Sequence, residues 1–477
     1  RSINIYKEMH RFLHLIENKK ILLLSGTPMK DRPEEISTIM NLILPTNQQL
    51  PTGKKFLNEY MLNGKIKEDK KEELRNYFKG RISYLKMTLP TNLRKIYNGE
   101  IFPEFTKYLK LCPDYMRSYQ SKRYLEIYNN ETKNEDDDDN ERIVNLYSGS
   151  RQASLCVFSK DIIKNKDEYK KNNKIIKNKD KYRLQKDFVN RIKKDSKDSN
   201  DILKNIRKYS SKYYNVLKNI LNDKNKDKTF FIYSSYVNNS GLILFSKLLE
   251  LFKFKKHTPG TITDKKKRYI LLTGNDTSSI NKLINKFNEP QNKHGEYVKI
   301  ILGSRLVSEG LSFHNIQNVH ILTGHWNFSE TEQVISRAIR SFSHKDLMKN
   351  DKDVIDINIF LHVSIPKRDK EKKLNKSIDL LMYKKSEQKD ISIKNIEYFI
   401  KKNTFDCELN IDRNRQLEYI DDSRDCDYEQ CNYECNNIES DNQIDYSSYN
   451  IYYNNEIKEK KIEKIKDIFN YSFYLKF

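Results

Sequence analysis

Between residues 202 and 365, short β-rich runs alternate with helix-length apolar segments, and this alternation narrows the possible folds more than any other feature of the chain. Thr229 to Tyr233 precedes a helical Leu242 to Leu251, and Arg268 to Thr273, Tyr297 to Leu302, Val319 to Leu322 and Ile357 to Val363 read as further strands. Strands separated by helical segments predict an α/β fold with a parallel sheet covered on both faces. In such sheets ligands gather beyond the carboxyl ends of the strands. Gly274, Gly303 and Gly324 each fall at such an end.

The flanks are less regular. Ile3, Phe12, Leu13 and Ile16 have helical spacing, and Ile21 to Leu24 reads as a short buried strand. Gly26, Pro28 and Pro33 punctuate the turn that follows, and a helical stripe from Glu34 to Leu44 stops at Pro45. Residues 51–105 read as mostly helical, with an ordered piece at Gly80 to Tyr84. The acidic tract from Asn129 to Glu141 and the Lys/Asn-rich tract from Lys160 to Asn200 read as flexible insertions. A helix from Ile378 to Ile400 opens a C-terminal extension that ends in a Cys cluster and a Tyr-rich stretch.

Composition removes several classes. With 31 Tyr and 22 Phe, the 477-residue chain is too aromatic for a disordered polyampholyte. No apolar run is long enough for a membrane-spanning helix, so no membrane partner is expected. Six Cys do not make a disulfide scaffold, and reduced thiols are expected. A net charge of +23 suits a nucleic-acid partner, although a general enrichment in Lys and Asn accounts for it equally well.

The sharpest chemistry is Gln333, Arg337 and Arg340. Offsets of four and seven put all three on one face of a helix, with Val334, Ile335, Ala338 and Ile339 on the buried side. Neighbouring guanidiniums repel one another, and an anion between them relieves that repulsion. An ordinary amphipathic helix with surface Arg gives the same spacing. The context is more telling. Gly303-Ser304, then Ser308-Glu309-Gly310, then His325-Trp326-Asn327, then the Gln/Arg segment, then Ser343-His344 form one long ordered pattern.

That pattern resembles motifs V and VI of superfamily 2 helicases of the Snf-like branch. It is closest to the version in large DNA viruses that includes the poxvirus early transcription factor small subunit, nucleoside triphosphate phosphohydrolase-I and giant-virus relatives. Leu22 to Met29, with Ser25, Gly26 and Thr27, resembles motif III. Asn41 to Pro45, Gly80 to Tyr84, Arg151-Gln152-Ala153, Phe231 to Ser234 and Phe287-Asn288-Glu289 follow in the family's order. Ser336, where many relatives have Gly, and Gly324, where Pro is common, depart from it.

The resemblance implies RecA-like lobes: 1–105 as the end of a first lobe, 106–201 as a bridge, 202–365 as a second lobe and 366–477 as the extension. It implies that Arg337 and Arg340 act as arginine fingers and Gln333 as a nucleotide-sensing or interlobe group. Ser25, Gly26, Thr27, Glu309 and Gly310 would couple the lobes, and Ser234, Ser235, Thr273, Gly274, Ser304 and Ser308 would track nucleic acid. Trp326 is expected to be a packing residue at the lobe interface. ATP and Mg2+ are the implied cofactors. Duplex DNA, viral RNA polymerase or a second transcription factor subunit are the implied partners, in the virion or host cytoplasm.

A P-loop needs Gly-x-x-x-x-Gly-Lys-Ser/Thr. Gly53-Lys54 is followed by Lys55, Gly64-Lys65 is followed by Ile66, and the one Asp-Glu pair, Asp167-Glu168, has no strand before it. The expectation is therefore an N-terminally truncated motor that cannot turn over ATP alone. The alternative is a non-enzymatic nucleic-acid-binding or polymerase-docking scaffold. Cys426, Cys431 and Cys435 could supply three positions of a Zn2+ site, with reduced, partly buried thiols as the other reading.

Overall fold

The structure is a computed structural model that describes residues 5–16, 20–86, 92–132, 147–157, 175–178, 181–184, 186–258, 260, 264, 267–273, 280–305, 310–350, 353–367, 376–415, 419–436, 459 and 463. Its centre is an eight-stranded parallel sheet. The strands are β1 (Leu93–Asn98), β2 (Cys112–Tyr115), β3 (Thr229–Tyr233), β4 (Lys255–Lys256), β5 (Arg268–Leu272), β6 (Ile300–Gly303), β7 (Ile316–Ile321) and β8 (Ile355–Ile365). They run in the order β1-β8-β7-β3-β6-β5-β4, and β2 pairs with the end of β8 beyond β1.

Six helices matter for the site: α1 (Ser148–Leu155), α2 (Ser211–Leu221), α3 (Leu242–Leu251), α4 (Ile280–Phe287), α5 (Phe328–Ile335) and α6 (Ile378–Lys402). Side chains alternate across a strand, and β3 uses both faces. Phe231 and Tyr233 enter one core with α4, α5 and the start of α6, whereas Phe230 and Ile232 enter a second core with α2 and α3. The α/β expectation holds. A third core joins Met29, Ile36, Met40, Phe56, Tyr60 and Phe78 to Ile393, Ile396 and Ile400 of α6. The first helix of the extension thereby ties the N-terminal helical region to the sheet. No helix among the described residues is long and apolar enough to cross a membrane.

Several local expectations are corrected. Ile21 to Leu24 is not a strand: Leu22 is 81% and Leu24 86% exposed. A β-run is buried only when neighbouring strands cover it, and none pairs with this segment among the described residues. Residues 51–105 hold, besides helices, a small antiparallel pair (Met61–Leu62 with Lys65–Ile66) and β1, which joins the central sheet beside β8. Part of the Lys/Asn-rich tract is ordered, because Phe188 and Ile192 are buried in the core with α2 and α3. Residues 133–146 and 158–174 lie outside the described residues.

The Cys cluster is also corrected. Cys426 pairs with Cys431 and Cys407 with Cys435 as disulfides, so none of the three proposed ligands remains a thiolate. No group of His, Cys, Asp or Glu suited to a metal occurs among the described residues. The chain reverses at Asp427 and Tyr428, both in the left-handed region (φ 59° and 61°), which brings Cys431 back to Cys426 at a Cα separation of 4.9 Å. Cys112 and Cys156 lie outside the two bridges. Denatured, unreduced protein is therefore expected to be alkylated by iodoacetamide at Cys112 and Cys156, and at all six Cys only after reduction. Six labels without reduction would refute the pairing, and intact-mass spectrometry makes the count.

Candidate active site

The parallel register brings three strand ends level. Gly303 pairs with Tyr233 on one side and with Leu272 on the other, so Ser234, Thr273 and Ser304 follow as one row across β3, β5 and β6. Ser234 is buried, and its Oγ accepts from Tyr236 N at 3.2 Å. Ser304 is buried too, and its Oγ donates to Leu272 O at 3.2 Å. These two hydroxyls shape the rim from within. Ser235 is half-buried, with its N donating to Thr323 Oγ1 at 2.8 Å, and Thr273, at the end of β5 on the far side of β6, is half-buried as well. Gly310 is exposed with φ +71°. Gly274, Ser308 and Glu309 lie outside the described residues.

Helix α5 starts beyond the end of β7. Asn327 caps it, its side chain accepting from Glu330 N at 2.8 Å, as Asn does at helix N-termini. The helix is shorter than expected and ends at Ile335. Arg337 N and Ala338 N donate three residues back, to Val334 O at 3.1 Å and Ile335 O at 3.0 Å, which tightens the last turn. Phe313 N donates to Arg337 O at 2.8 Å, and Ser343 Oγ accepts from Arg340 N at 3.1 Å, so the chain is drawn out of the helix. Only Gln333 sits on α5; Arg337 and Arg340 lie on the turn and segment after it. The one-face arrangement is corrected, although both Arg residues still lean toward one loop. Arg337 Nη1 donates to Leu311 O at 3.5 Å, and Arg340 Nη1 donates to Ser312 Oγ at 2.5 Å. Arg340 makes no ion pair among the described residues. His344 is buried and bonded through Nε2 to Ile316 O at 2.6 Å, so the Ser-His pair fastens this segment to β7.

The N-terminal turn comes to the same place. Ser25 Oγ accepts from Thr27 N at 3.1 Å, and Gln333 Nε2 donates to Thr27 Oγ1 at 3.5 Å. Gly26 is exposed between them. Lys30 Nζ pairs with Glu330 Oε1 at 3.1 Å, and Asp31 pairs with Lys389 of α6 at 2.6 Å. Glu330 also meets His325 Nδ1 at 2.6 Å, and the His325 bond, joined by Lys30, holds its carboxyl well below the usual range against burial. The N-terminal turn is therefore docked on both α5 and α6. Trp326 is half-buried and packs beside the core around Tyr124 and Met382.

Both departures from the family pattern have structural reasons. A Cβ on Gly324 would lie 2.9 Å from the ring of the fully buried Tyr383, so larger residues are excluded. Ser336 has ordinary right-handed angles (φ −64°, ψ −13°), and nothing there requires glycine. Sequence reading missed Lys212, whose Nζ meets Asp379 Oδ2 at 2.8 Å and Leu322 O at 2.6 Å just before the loop to α5. Arg151, part of the Arg151-Gln152-Ala153 motif, also reaches this region. Arg151 Nη2 donates to Gly324 O at 3.3 Å in the same loop. A charge inside an otherwise buried helical face, such as Lys212 on α2, was the available signal.

Residues 212–342 match the family described as Helicase conserved C-terminal domain. The chain is 36% identical over 439 residues to "Putative helicase 087L" of Invertebrate iridescent virus 3, covering 91% of this chain and 40% of that protein. It is 32% identical over 440 residues to "Putative helicase 009L" of Frog virus 3 (isolate Goorha), covering 92% and 41%. It is 27% identical over 376 residues to the early transcription factor 70 kDa subunit of Yaba monkey tumor virus (strain VR587), covering 74% and 51%. A nucleoside triphosphatase I of Heliothis armigera entomopoxvirus is a further match. The chain thus spans about two fifths of the first two relatives. The strand ends, the Gln/Arg segment and these matches together identify a helicase conserved C-terminal domain within a chain whose relatives are viral helicases, a nucleoside triphosphatase and an early transcription factor subunit.

Proposed function

We propose that the chain forms the arginine-finger side of an ATP-hydrolysing, DNA-stimulated translocase or helicase acting in viral early transcription. The observation that carries this reading is the meeting of Gln333 with Thr27, beside the turn that bears Arg337 and Arg340. A planar guanidinium fork suits the oxygens of a terminal phosphate, and a finger stabilises the charge that develops on a transferring phosphoryl group. The chain's own part is then to offer two forks from the end of α5 and to relay their position to Ser25 to Thr27. The cradle for the remaining phosphates and the ligands of Mg2+ are assigned no residues here, because no P-loop pattern occurs in the sequence and no metal cluster among the described residues. They belong, on this reading, to a first lobe supplied by further polypeptide.

The exposed run of Leu22 to Leu24 supports that arrangement, since apolar surface of this kind marks an interaction face. Duplex DNA is proposed to cross the rim formed by the ends of β3, β5 and β6, held through its phosphates. Viral RNA polymerase or a second factor subunit is the proposed protein partner, and the virion and host cytoplasm the proposed locations. The test is ATP turnover by the full polypeptide with and without duplex DNA over a salt series. Turnover that rises with DNA, and a DNA affinity that falls with salt, are expected. DNA binding without any turnover would favour the polymerase-docking scaffold instead.

A further inference from the structure

The disulfide-closed segment after α6 has no part in the reading above, yet it touches the finger helix. Arg424 sits in a short turn just ahead of the Cys426–Cys431 bridge. Its Nε and Nη2 grip the Asp390 carboxylate of α6 at 2.7 and 3.2 Å, and its Nη1 reaches Glu332 Oε2 on α5 at 3.2 Å. The guanidinium also lies 4.3 Å from the ring centre of Phe328, in the first turn of α5. The other Glu332 oxygen takes Lys95 Nζ of β1 at 2.7 Å. One carboxylate on α5 is thus held between the sheet edge and the C-terminal segment.

We propose that Arg424 is a positioning residue for the finger segment, fixing α5 through Glu332 so that Arg340 and Gln333 keep their places. The inference rests on the ATP-site reading above and deepens it. The linkage is continuous. Glu332 O accepts from Ser336 N at 2.8 Å, and Ser336 O accepts from Arg340 Nε at 3.1 Å. Gln333, the next residue along, is the one that meets Thr27. A shift of α5 therefore moves one finger and the coupling contact together. Misplacement of reacting groups by about 1 Å costs on the order of 100-fold in rate.

The holder is itself rigid. Asp427 pairs with Lys401 at 2.6 Å and Lys394 at 3.5 Å, and Tyr428 Oη donates to Asp390 Oδ2 at 2.6 Å. Asp427 and Tyr428 are two successive non-glycine residues in the left-handed region, where an L side chain crowds the following carbonyl oxygen. They persist because the Cys426–Cys431 bridge and these pairs over-determine the turn. Burial pushes the Glu332 carboxyl up, but Lys95 and Arg424 outweigh it and hold it at about 2, so the carboxylate is charged throughout the working pH range.

The test uses the full polypeptide. Arg424→Ala is expected to lower kcat for ATP by about 10- to 100-fold while KM stays within about twofold, the mark of misplaced transition-state groups rather than lost binding. In a double-mutant cycle, Glu332→Gln added to Arg424→Ala is expected to cost little more than Arg424→Ala alone. An unchanged kcat, a change confined to KM, or fully additive effects would overturn the proposal. Amide hydrogen exchange across residues 328–343 gives a readout that needs no turnover. Faster exchange at Ser336 in Arg424→Ala is expected, and unchanged exchange overturns the positioning role. Arg424→Lys serves both measurements if the Ala variant does not fold. Wild-type turnover that is insensitive to Arg337→Ala would instead refute the ATP-site reading.

Discussion

On the proposed finger role, replacing Arg337 or Arg340 with Ala in the full polypeptide is expected to lower kcat for ATP by about 10³-fold, the lower end of what arginine fingers contribute. The two residues should differ in detail. Arg340 is held by Ser336 O and Ser312 Oγ, so part of its donor capacity already serves the loop at the end of motif V. Arg340→Ala is therefore expected to disturb DNA stimulation as well as turnover, because it frees that loop. Arg337→Lys keeps the charge but loses the planar fork, and recovery of less than about tenfold is expected relative to Ala. If the two forks act on one phosphate, as proposed, the double variant should be little worse than either single one. Steady-state kinetics with saturating DNA, in which KM and kcat are separated, make the comparison. A double variant that keeps wild-type turnover would remove the motor reading.

The α/β alternation was legible because β3, β6 and Tyr269 to Leu272 of β5 are largely buried on both faces and so read as continuous apolar runs. β1 was not legible. Its sequence, Leu-Arg-Lys-Ile-Tyr-Asn, belongs to an edge strand, where Arg94 faces water and pairs with Asp356 at 2.7 Å. Ile21 to Leu24 shows the converse, since its composition is that of a core strand while its burial depends on neighbours elsewhere. The end of α5 was invisible for another reason. Ala338 and Ile339 stay buried after the helix has tightened into a turn, so the apolar period runs on past the last helical residue. The meeting of Thr27 with Gln333 was legible only through the family pattern. The disulfide partners were not legible at all, because spacing along the chain does not determine which sulfurs meet.

Lys212 carries the largest expected effect on stability. The ammonium is fully buried on α2, 2.8 Å from Asp379 Oδ2 of α6 and 2.6 Å from Leu322 O. Ser364 N donates to the same Asp379 oxygen at 2.9 Å, so the carboxylate is partly satisfied without the lysine, whereas the charge is not. Lys212→Met keeps the volume and strands a buried carboxylate, and a loss of about 3–5 kcal/mol is expected. Adding Asp379→Asn to Lys212→Met removes the stranded charge while keeping a hydrogen-bonding side chain, and about half of the loss should return. Urea unfolding of the wild type and the two variants, with midpoints compared at constant m, reads this directly. The pair also has a place in the site. Leu322 O, which Lys212 holds, lies two residues before Gly324, and Arg151 holds Gly324 O on the same loop into α5. The double variant, with the charge problem removed but the Leu322 contact still lost, should therefore regain stability while its α5 entry loop remains loose. If its turnover returned in step with its stability, Lys212 would be a device of the fold alone, with no bearing on where Arg337 and Arg340 sit.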